Sequence, residues 1–313
     1  MKHREALLLC LGLALLVLLF FSILPSRPQQ AGEPALVGFI NLRDGRVFSG
    51  TIQRDFQALA AADPALQMEY YNGADSPEVQ RRLIHELVQR KARAIILMAT
   101  NSVELIPGVQ EANDAGIPVI TLNARVFGGN SVYVGPLEYD AGWLQGEYLR
   151  DRLPQGAKIV YFKGNAERDN TQQRLRGFVD ACMMERPDIQ LVRCDSAEFS
   201  EAKARRMMAQ WLQQEPRIDG VVAANDEMAE GALAALENTG REQGVLIAGI
   251  DARKSARQRI REGSMTMSVR QDAKAQAQGA YDVLKQLLVG KNVKDVLLPF
   301  RVVDRQNVDD ASK

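Results

Sequence analysis

Between residues 36 and 303 the chain alternates two rhythms of hydrophobic placement. One is a short, unbroken apolar run, at 36–41, 66–71, 94–98, 118–122, 132–135, 158–162, 189–194, 221–224, 245–250 and 265–269. Runs of this length without polar alternation are what strands buried on both faces require. Between them lie stretches with apolar residues three and four apart, such as Phe48, Ile52, Phe56 and Leu59 within 47–62. That is the spacing of a helix that buries one face. The spacing predicts further helices over 76–90, 103–115, 139–152, 170–185, 200–215, 226–239, 254–262 and 272–289. Ser76 followed by Pro77 marks one helix start, and Gly116 closes another. A last extended stretch covers 296–303. Strand and helix in alternation specify a parallel sheet covered on both faces, an α/β doubly wound architecture. One sheet holding all these strands would be unusually wide, and the two halves of the chain repeat the same order. Two doubly wound parallel-sheet lobes are therefore expected.

Ahead of this pattern, residues 6–24 form a 19-residue, almost wholly apolar run behind Lys2, His3 and Arg4. A basic start and an apolar stretch make an export signal, with the amino terminus held in the cytoplasm. The apolar region of a cleaved signal is about 7–15 residues long, and this run exceeds it. As a helix it would span about 28 Å, close to a hydrocarbon core. No small-x-small cleavage site follows: Gln29 stands two residues before Ala31, and Leu24 two before Ser26. A cleaved signal peptide and an uncleaved signal anchor are equally supported by these features. In either case residues 1–34 are leader and linker, and the remainder is expected outside the cytoplasm, soluble or anchored to the membrane by residues 6–24.

Charge adds little to this picture. The chain carries 39 basic and 39 acidic side chains. Beyond residue 31, 36 basic stand against 38 acidic. There is no electrostatic footprint for nucleic acid, and no membrane contact is expected outside the amino-terminal segment. Cys182 and Cys194 follow the leader. Export permits a bridge between them. One sits near the end of a predicted helix and the other well along the returning strand, which separates their Cα atoms beyond disulfide reach, so two unpaired thiols are expected.

Catalytic groups are scarce. Of two histidines, His3 precedes the apolar run, and His85 lies in His-Glu-Leu-Val-Gln, which lacks the second histidine of a zinc-protease helix. No Gly-x-Ser-x-Gly elbow, phosphate loop or Gly-x-Gly-x-x-Gly is present. Without a base, a nucleophile pair or a metal cluster, the chain is expected to be no enzyme and to need no cofactor or metal. What recurs instead is a polar residue at the strand ends: Asn41, Thr100, Asn101, Asn123, Asn165, Asn225, Asp226 and Asp251. Such residues are common caps of strand-to-helix turns. As a set they also stand where an open α/β sheet collects ligands, in the crevice beyond the strand ends. In the stretch Val-Val-Ala-Ala-Asn-Asp-Glu-Met-Ala (221–229), Asp226 is expected to cap the next helix and Asn225 to face a small polar ligand. Amides and carboxylates bind neighbouring hydroxyls of a polyol, and Phe48 and Phe199 are rings available to cover its C–H face.

Four stretches carry a resemblance to a known family: Ile-Pro-Val-Ile-Thr-Leu-Asn (117–123), Arg-Gly-Phe (176–178), Ala-Asn-Asp-Glu-Met-Ala-Glu-Gly-Ala-Leu (224–233) and Ala-Gly-Ile-Asp (248–251). From residue 36 to about 303 the chain resembles the type I periplasmic sugar-binding proteins, the ribose-binding branch in particular. Cytoplasmic sugar-responsive repressors share the Asn-Asp-Glu-Met-Ala segment but carry an amino-terminal helix-turn-helix, where this chain has its apolar run. The resemblance implies two lobes joined by a three-strand hinge, with crossings near Pro136, Gln271 and Phe300 and a ligand enclosed as the lobes close. It implies an N-terminal lobe of 35–135 with 272–299, and a C-terminal lobe of 136–271 with 300–313. By motif position, Asn225, Asp251 and Gln271 match ligand-bonding residues, and Phe48 and Phe199 match stacking aromatics. Four positions depart from the ribose branch: Asn123 replaces an aspartate, Ala124 and Gln172 each replace an arginine, and Met98 replaces an asparagine. Asn123 and Gln172 remain candidate ligand contacts. Arg125, Arg174, Arg43 and Arg46 are the candidate substitutes for the lost arginines, with Arg174 expected to be structural. The substitutions count against ribose itself and leave a monosaccharide or related polyol as the expected ligand. The implied partner is the permease of an ABC importer. The alternative is a ligand-sensing subunit for a membrane histidine kinase or chemoreceptor.

Overall fold

The computed structural model describes residues 33–45, 47–166 and 168–310. In chain order their elements are β1 (Ala35–Asn41), α1 (Val47–Ala61), β2 (Leu66–Asn72), α2 (Pro77–Gln89), β3 (Ala94–Leu97), α3 (Ile106–Asp114), β4 (Val119–Leu122), β5 (Ser131–Gly135), α4 (Glu138–Arg150), β6 (Lys158–Lys163), α5 (Asp169–Phe178), β7 (Gln190–Ser196), α6 (Glu201–Gln214), β8 (Gly220–Ala223), α7 (Asp226–Glu237), β9 (Leu246–Ile250), α8 (Lys254–Glu262), β10 (Met267–Arg270), α9 (Ala273–Leu288), β11 (Val296–Leu297) and β12 (Arg301–Asp304). They build two six-stranded sheets, ordered β11-β5-β4-β3-β1-β2 and β12-β10-β9-β8-β6-β7. Every pairing is parallel except β10 with β12. The molecule is thus a pair of α/β lobes, as the alternation of short apolar runs and helices requires.

The pleat explains why the strand runs are apolar throughout. In the first sheet Val37, Phe39, Ala94 and Ile96 face a core shared with Ile52 and Phe56 of α1 and with Ala280 and Val283 of α9. Their neighbours Ile40, Ile95 and Leu97 face the opposite layer, against Ile84 and Leu87 of α2 and Val109 of α3. Successive side chains point to opposite faces, and both faces are covered. The second lobe packs one continuous core, in which the rings of Phe162 and Trp211 stack with centroids 4.6 Å apart.

The chain passes between the sheets three times, after β5, after β10 and between β11 and β12. At the third passage the structure departs from the single strand expected over 296–303. Residues 298–300 belong to no strand, β11 joins β5, and β12 joins β10. Pro299 has no N–H to offer a ladder, so the extended run is interrupted there. Two helices also differ from expectation. The helix expected over 103–115 begins at Ile106, because Asn101 Oδ1 accepts from the N–H groups of Val103 and Glu104, both at 2.9 Å, and holds a turn. The helix expected over 170–185 becomes a π-helical turn at Val179–Met183. Cys182 and Cys194 are both free thiols. No helix among the described residues is long and apolar enough to cross a membrane. The apolar run 6–24 lies outside the described residues.

Candidate ligand-binding cleft

Carboxyl ends of strands from both sheets face one cleft of about 380 Å³. Six of the seven candidate residues line it: Phe48, Asn123, Phe199, Asn225, Asp251 and Gln271. Gln172 does not. It is exposed on α5, with its Nε2 3.4 Å from the Ala166 carbonyl oxygen. The reason is helical phase. Asn170 and Arg174, four residues apart, share the buried face that meets the cleft, and Gln172 lies about 200° around the helix from Asn170.

A chain of amides ties the lobes together through this site. Asn123, just past β4, donates from Nδ2 to Gln271 Oε1 at 3.0 Å and to Gln276 Oε1 at 3.1 Å. Gln271, at the second crossing, donates from Nε2 to Asp251 Oδ1 at 2.5 Å. Asp251 directly follows β9 of the other sheet, so one relay of side chains runs from the first lobe to the second. Four of the cleft residues sit in backbone conformations that non-glycine residues seldom adopt: Asn123 at φ 63°, Glu198 at φ 55°, Phe199 at φ 57° and Asp251 at φ 112°. Such strain is retained only where surrounding contacts over-determine it. Burial pushes the Asp251 carboxyl up to about 6, against the opposing pull of the Arg174 guanidinium and the Gln271 hydrogen bond.

Asn225 takes the capping role expected of Asp226 and lines the cleft as well. Asn225, not Asp226, caps α7, its Oδ1 accepting from the Met228 N–H at 3.0 Å. With that oxygen committed, its Nδ2 group is the part left for the cleft. Asp226 is fully buried and braces the β9–α8 junction, where its oxygens accept from Ser268 Oγ at 2.6 Å and from the Arg253 N–H at 2.8 Å. Burial, and then the charge of Asp251, raise its pKa well above the ordinary carboxylate value. Asp226 is not the cap because it falls one residue inside the helix, where its carboxylate meets Ser268 and Arg253 rather than the first-turn N–H groups.

The ring of Phe199 packs directly over Gly164. A Cβ there would stand 2.0 Å from the ring's Cζ, so the glycine makes room for the aromatic wall. Phe48, in the first turn of α1, is half-buried at the other side. Of the arginines weighed as substitutes, Arg174 and Arg43 line the cleft. Arg174 is buried; its Nε donates to Glu138 Oε2 at 2.6 Å and its Nη1 to the Ala224 carbonyl at 2.5 Å. It is reached because α4 and α5 touch backbone to backbone: a Cβ on Gly142 would lie 1.8 Å from the Arg174 carbonyl oxygen. Arg43 lies 3.2 Å from Asp75. Arg125 is turned away, paired with Asp295 at 2.8 Å and stacked 4.0 Å over the Tyr133 ring. Arg46 lies outside the described residues. Met98 and Ala124, the departures at the other two positions, are buried among apolar side chains.

Sequence reasoning missed Asn170, Arg168 and Arg253, which also line the cleft. Asn170 carries the clearest signal after the fact, as the polar residue one turn before Arg174. Its Oδ1 is buried and accepts no hydrogen bond among the described residues. Four arginines (Arg43, Arg168, Arg174, Arg253) and four carboxylates (Glu198, Glu201, Glu227, Asp251) line the cleft, so its formal charge is balanced. His85 is exposed, 2.6 Å from Glu111, and among the described residues no group of His, Cys, Asp and Glu is placed to hold a metal.

Two α/β lobes, three crossings and a polar cleft between them define a two-lobed solute-binding protein. The chain matches the periplasmic binding protein domain over residues 37–292 and belongs to that family, whose members bind solutes rather than transform them. It has the family's type I fold. A ribose import binding protein of Bacillus subtilis is 28% identical over 215 residues, 68% of this chain and 69% of that protein. A xylitol-binding protein of Mycolicibacterium smegmatis is 29% identical over 250 residues, 78% of this chain and 70% of that one. Among solved structures, an ABC transporter solute-binding protein from Bacillus halodurans with bound myo-inositol superposes with a TM-score of 0.85 at 28% identity, covering 90% of this chain and 98% of that one.

Proposed function

We propose that this protein captures a monosaccharide or related polyol between its lobes in the periplasm and delivers it to the permease of an ABC importer. The carrying observation is the relay Asn123–Gln271–Asp251, which runs from one lobe to the other inside a cleft walled by Phe48 and Phe199. Amide and carboxylate groups at hydrogen-bonding range of one another suit a ligand with several adjacent hydroxyls, and each ring offers an apolar face to its C–H bonds. Asn225 Nδ2, the unengaged Asn170 Oδ1 and the Arg174 guanidinium complete a set of donors and acceptors around that ligand. Closure removes water, and a pocket group then left unpaired costs about 1–3 kcal/mol, so a ligand lacking one hydroxyl is rejected. The ribose import binding protein, the xylitol-binding protein and the ABC transporter solute-binding protein with bound myo-inositol support the reading. They favour import over the sensor alternative.

The test is a thermal-shift screen of the full-length protein against pentoses, hexoses, cyclitols, acyclic polyols and amino acids. A ligand present at 100 times its Kd adds about 2.7 kcal/mol of stability. A sugar or polyol is expected to raise the melting temperature by several degrees. A panel in which no polyol shifts it, or in which only amino acids do, removes the proposal.

A further inference from the structure

Beside the ligand cleft, and sharing with it Phe48, Asp251, Arg253 and Gln271, lies a wider pocket of about 810 Å³. Its walls come from both lobes: α1, one face of α8 and the junction of β10 with α9. Six cationic side chains line it, Arg253, Lys254, Arg257, Arg261, Arg270 and Lys274, against the carboxylates Asp55, Asp251 and Asp272. Part of the positive charge is neutralised within the fold. Arg253 Nη1 lies 3.3 Å from Glu230 and 3.4 Å from Glu227, and Arg261 Nε lies 2.7 Å from Asp309. Arg270 reaches Asp272 only at 3.9 Å. Lys254 and Lys274 are exposed and take no part in the ion pairs of the described residues. The excess is felt locally: burial, and then the charges of Arg270 and Arg261, push the pKa of Arg257 down.

Like charges gathered in a recess repel one another, and an anion between them relieves that repulsion. The placement adds a direction. Phe48 and Arg253 belong to both spaces, so a ring held against Phe48 has a route for one substituent past Arg253 into the basic pocket. We propose that the ligand is an anionic polyol, a sugar or cyclitol bearing a carboxylate or phosphate, with its hydroxylated ring in the cleft and its acidic group in this pocket. The inference rests on the polyol reading and narrows it. Cations from both lobes meet the acidic group, Lys274 from one and Lys254 and Arg257 from the other, so the group also draws the lobes together.

Calorimetry on the full-length protein with matched pairs tests this: myo-inositol with an inositol monophosphate, ribose with ribose 5-phosphate, and glucose with glucuronate. The phosphate and carboxylate pairs distinguish the two kinds of acid. In at least one pair the anionic member is expected to bind tenfold tighter or more at low salt. That preference, read as a ratio of two Kd values, is expected to fall at least fivefold in the double variant Lys254→Gln, Lys274→Gln and to shrink at high salt, where screening shortens the reach of exposed charges. Neutral members that bind as tightly as their anionic partners in every pair overturn the proposal and leave the polyol reading standing. A preference untouched by the double variant overturns the assignment to this pocket. If no member of any pair binds, the polyol reading itself fails, and this inference with it.

Discussion

Asp251 holds a backbone conformation of φ 112° at a place where its carboxylate is also costly to ionise. Both features follow from its position at the end of β9, where the chain turns sharply and water is scarce. Its pKa is raised in the folded state, from 3.8 to about 6, so the folded protein holds a proton that the unfolded chain has released between those values. Stability from this group is therefore complete below about pH 4 and is lost as pH rises through 6, a loss of at most about 3 kcal/mol. Asp251→Asn keeps an acceptor for Gln271 and removes the charge. Thermal melts of the unliganded protein are expected to show Asp251→Asn more stable than the parent at pH 7.5 and equal to it near pH 4. Equal melting temperatures at both values would show that burial does not penalise this carboxylate. For binding, the expectation reverses: Asp251→Ala weakens the ligand more than about tenfold in calorimetry while the fold remains intact. On α5 the contrast lies between neighbours. Asn170→Ala is expected to cost about 1–3 kcal/mol of binding, and Gln172→Ala to leave the Kd within about twofold, since that side chain is outside the cleft. A large loss from Gln172→Ala would return it to the site.

At the scale of elements, the decisive contact is between α4 and α5. Gly142 and Gly177 let the two backbones meet, and a Cβ on Gly177 would stand 2.1 Å from the Tyr139 carbonyl oxygen. The closeness brings Glu138, in the first turn of α4, to Arg174 on α5, and the pair is buried. A buried ion pair is costly to break because one partner is left charged and unsolvated. Gly142→Ala must move a backbone rather than a flexible side chain. It is expected to lower stability by about 1–3 kcal/mol and to weaken ligand binding through the displaced arginine. A denaturant melt with an unchanged midpoint would mean that the helices separate without strain. The helix lengths and most strand positions were legible from hydrophobic spacing alone. The exceptions have local causes that spacing does not register: the side-chain turn at Asn101, the π-helical turn after Phe178 and the break at Pro299.

For the whole molecule, the relay Asn123–Gln271–Asp251 joins lobes that are otherwise linked by three crossings. A ligand that bonds to both lobes favours the closed arrangement by the difference in its affinity for the two states. Small-angle scattering is expected to show a smaller radius of gyration on saturation with ligand. In Gln271→Ala the contraction should need a higher ligand concentration. Scattering curves that superpose with and without a bound ligand would rule out closure as the response. The expected positions of the crossings, near Pro136, Gln271 and Phe300, came from resemblance to a family, because periodicity carries no information about which sheet a strand joins.

The sequence by itself determined the class of the fold and the ends of the strands where a ligand can sit. Both are encoded locally: apolar runs of one length, helices of one period, and polar residues where each strand stops. Tertiary structure alone decided which of those polar residues meet. Gln172 and Asn170 look alike in the chain and lie on opposite sides of a helix. Asn225 and Asp226 are adjacent, yet one caps a helix at the cleft and the other supports a junction beneath it. The pairing of Arg174 with Glu138 depends on two helices whose contact is set by glycines 142 and 177. The basic pocket gathers cations from α8, β10 and α9, whose separation along the chain hides them in a balanced composition. Each of these depends on direction and long-range packing, which a one-dimensional pattern does not carry.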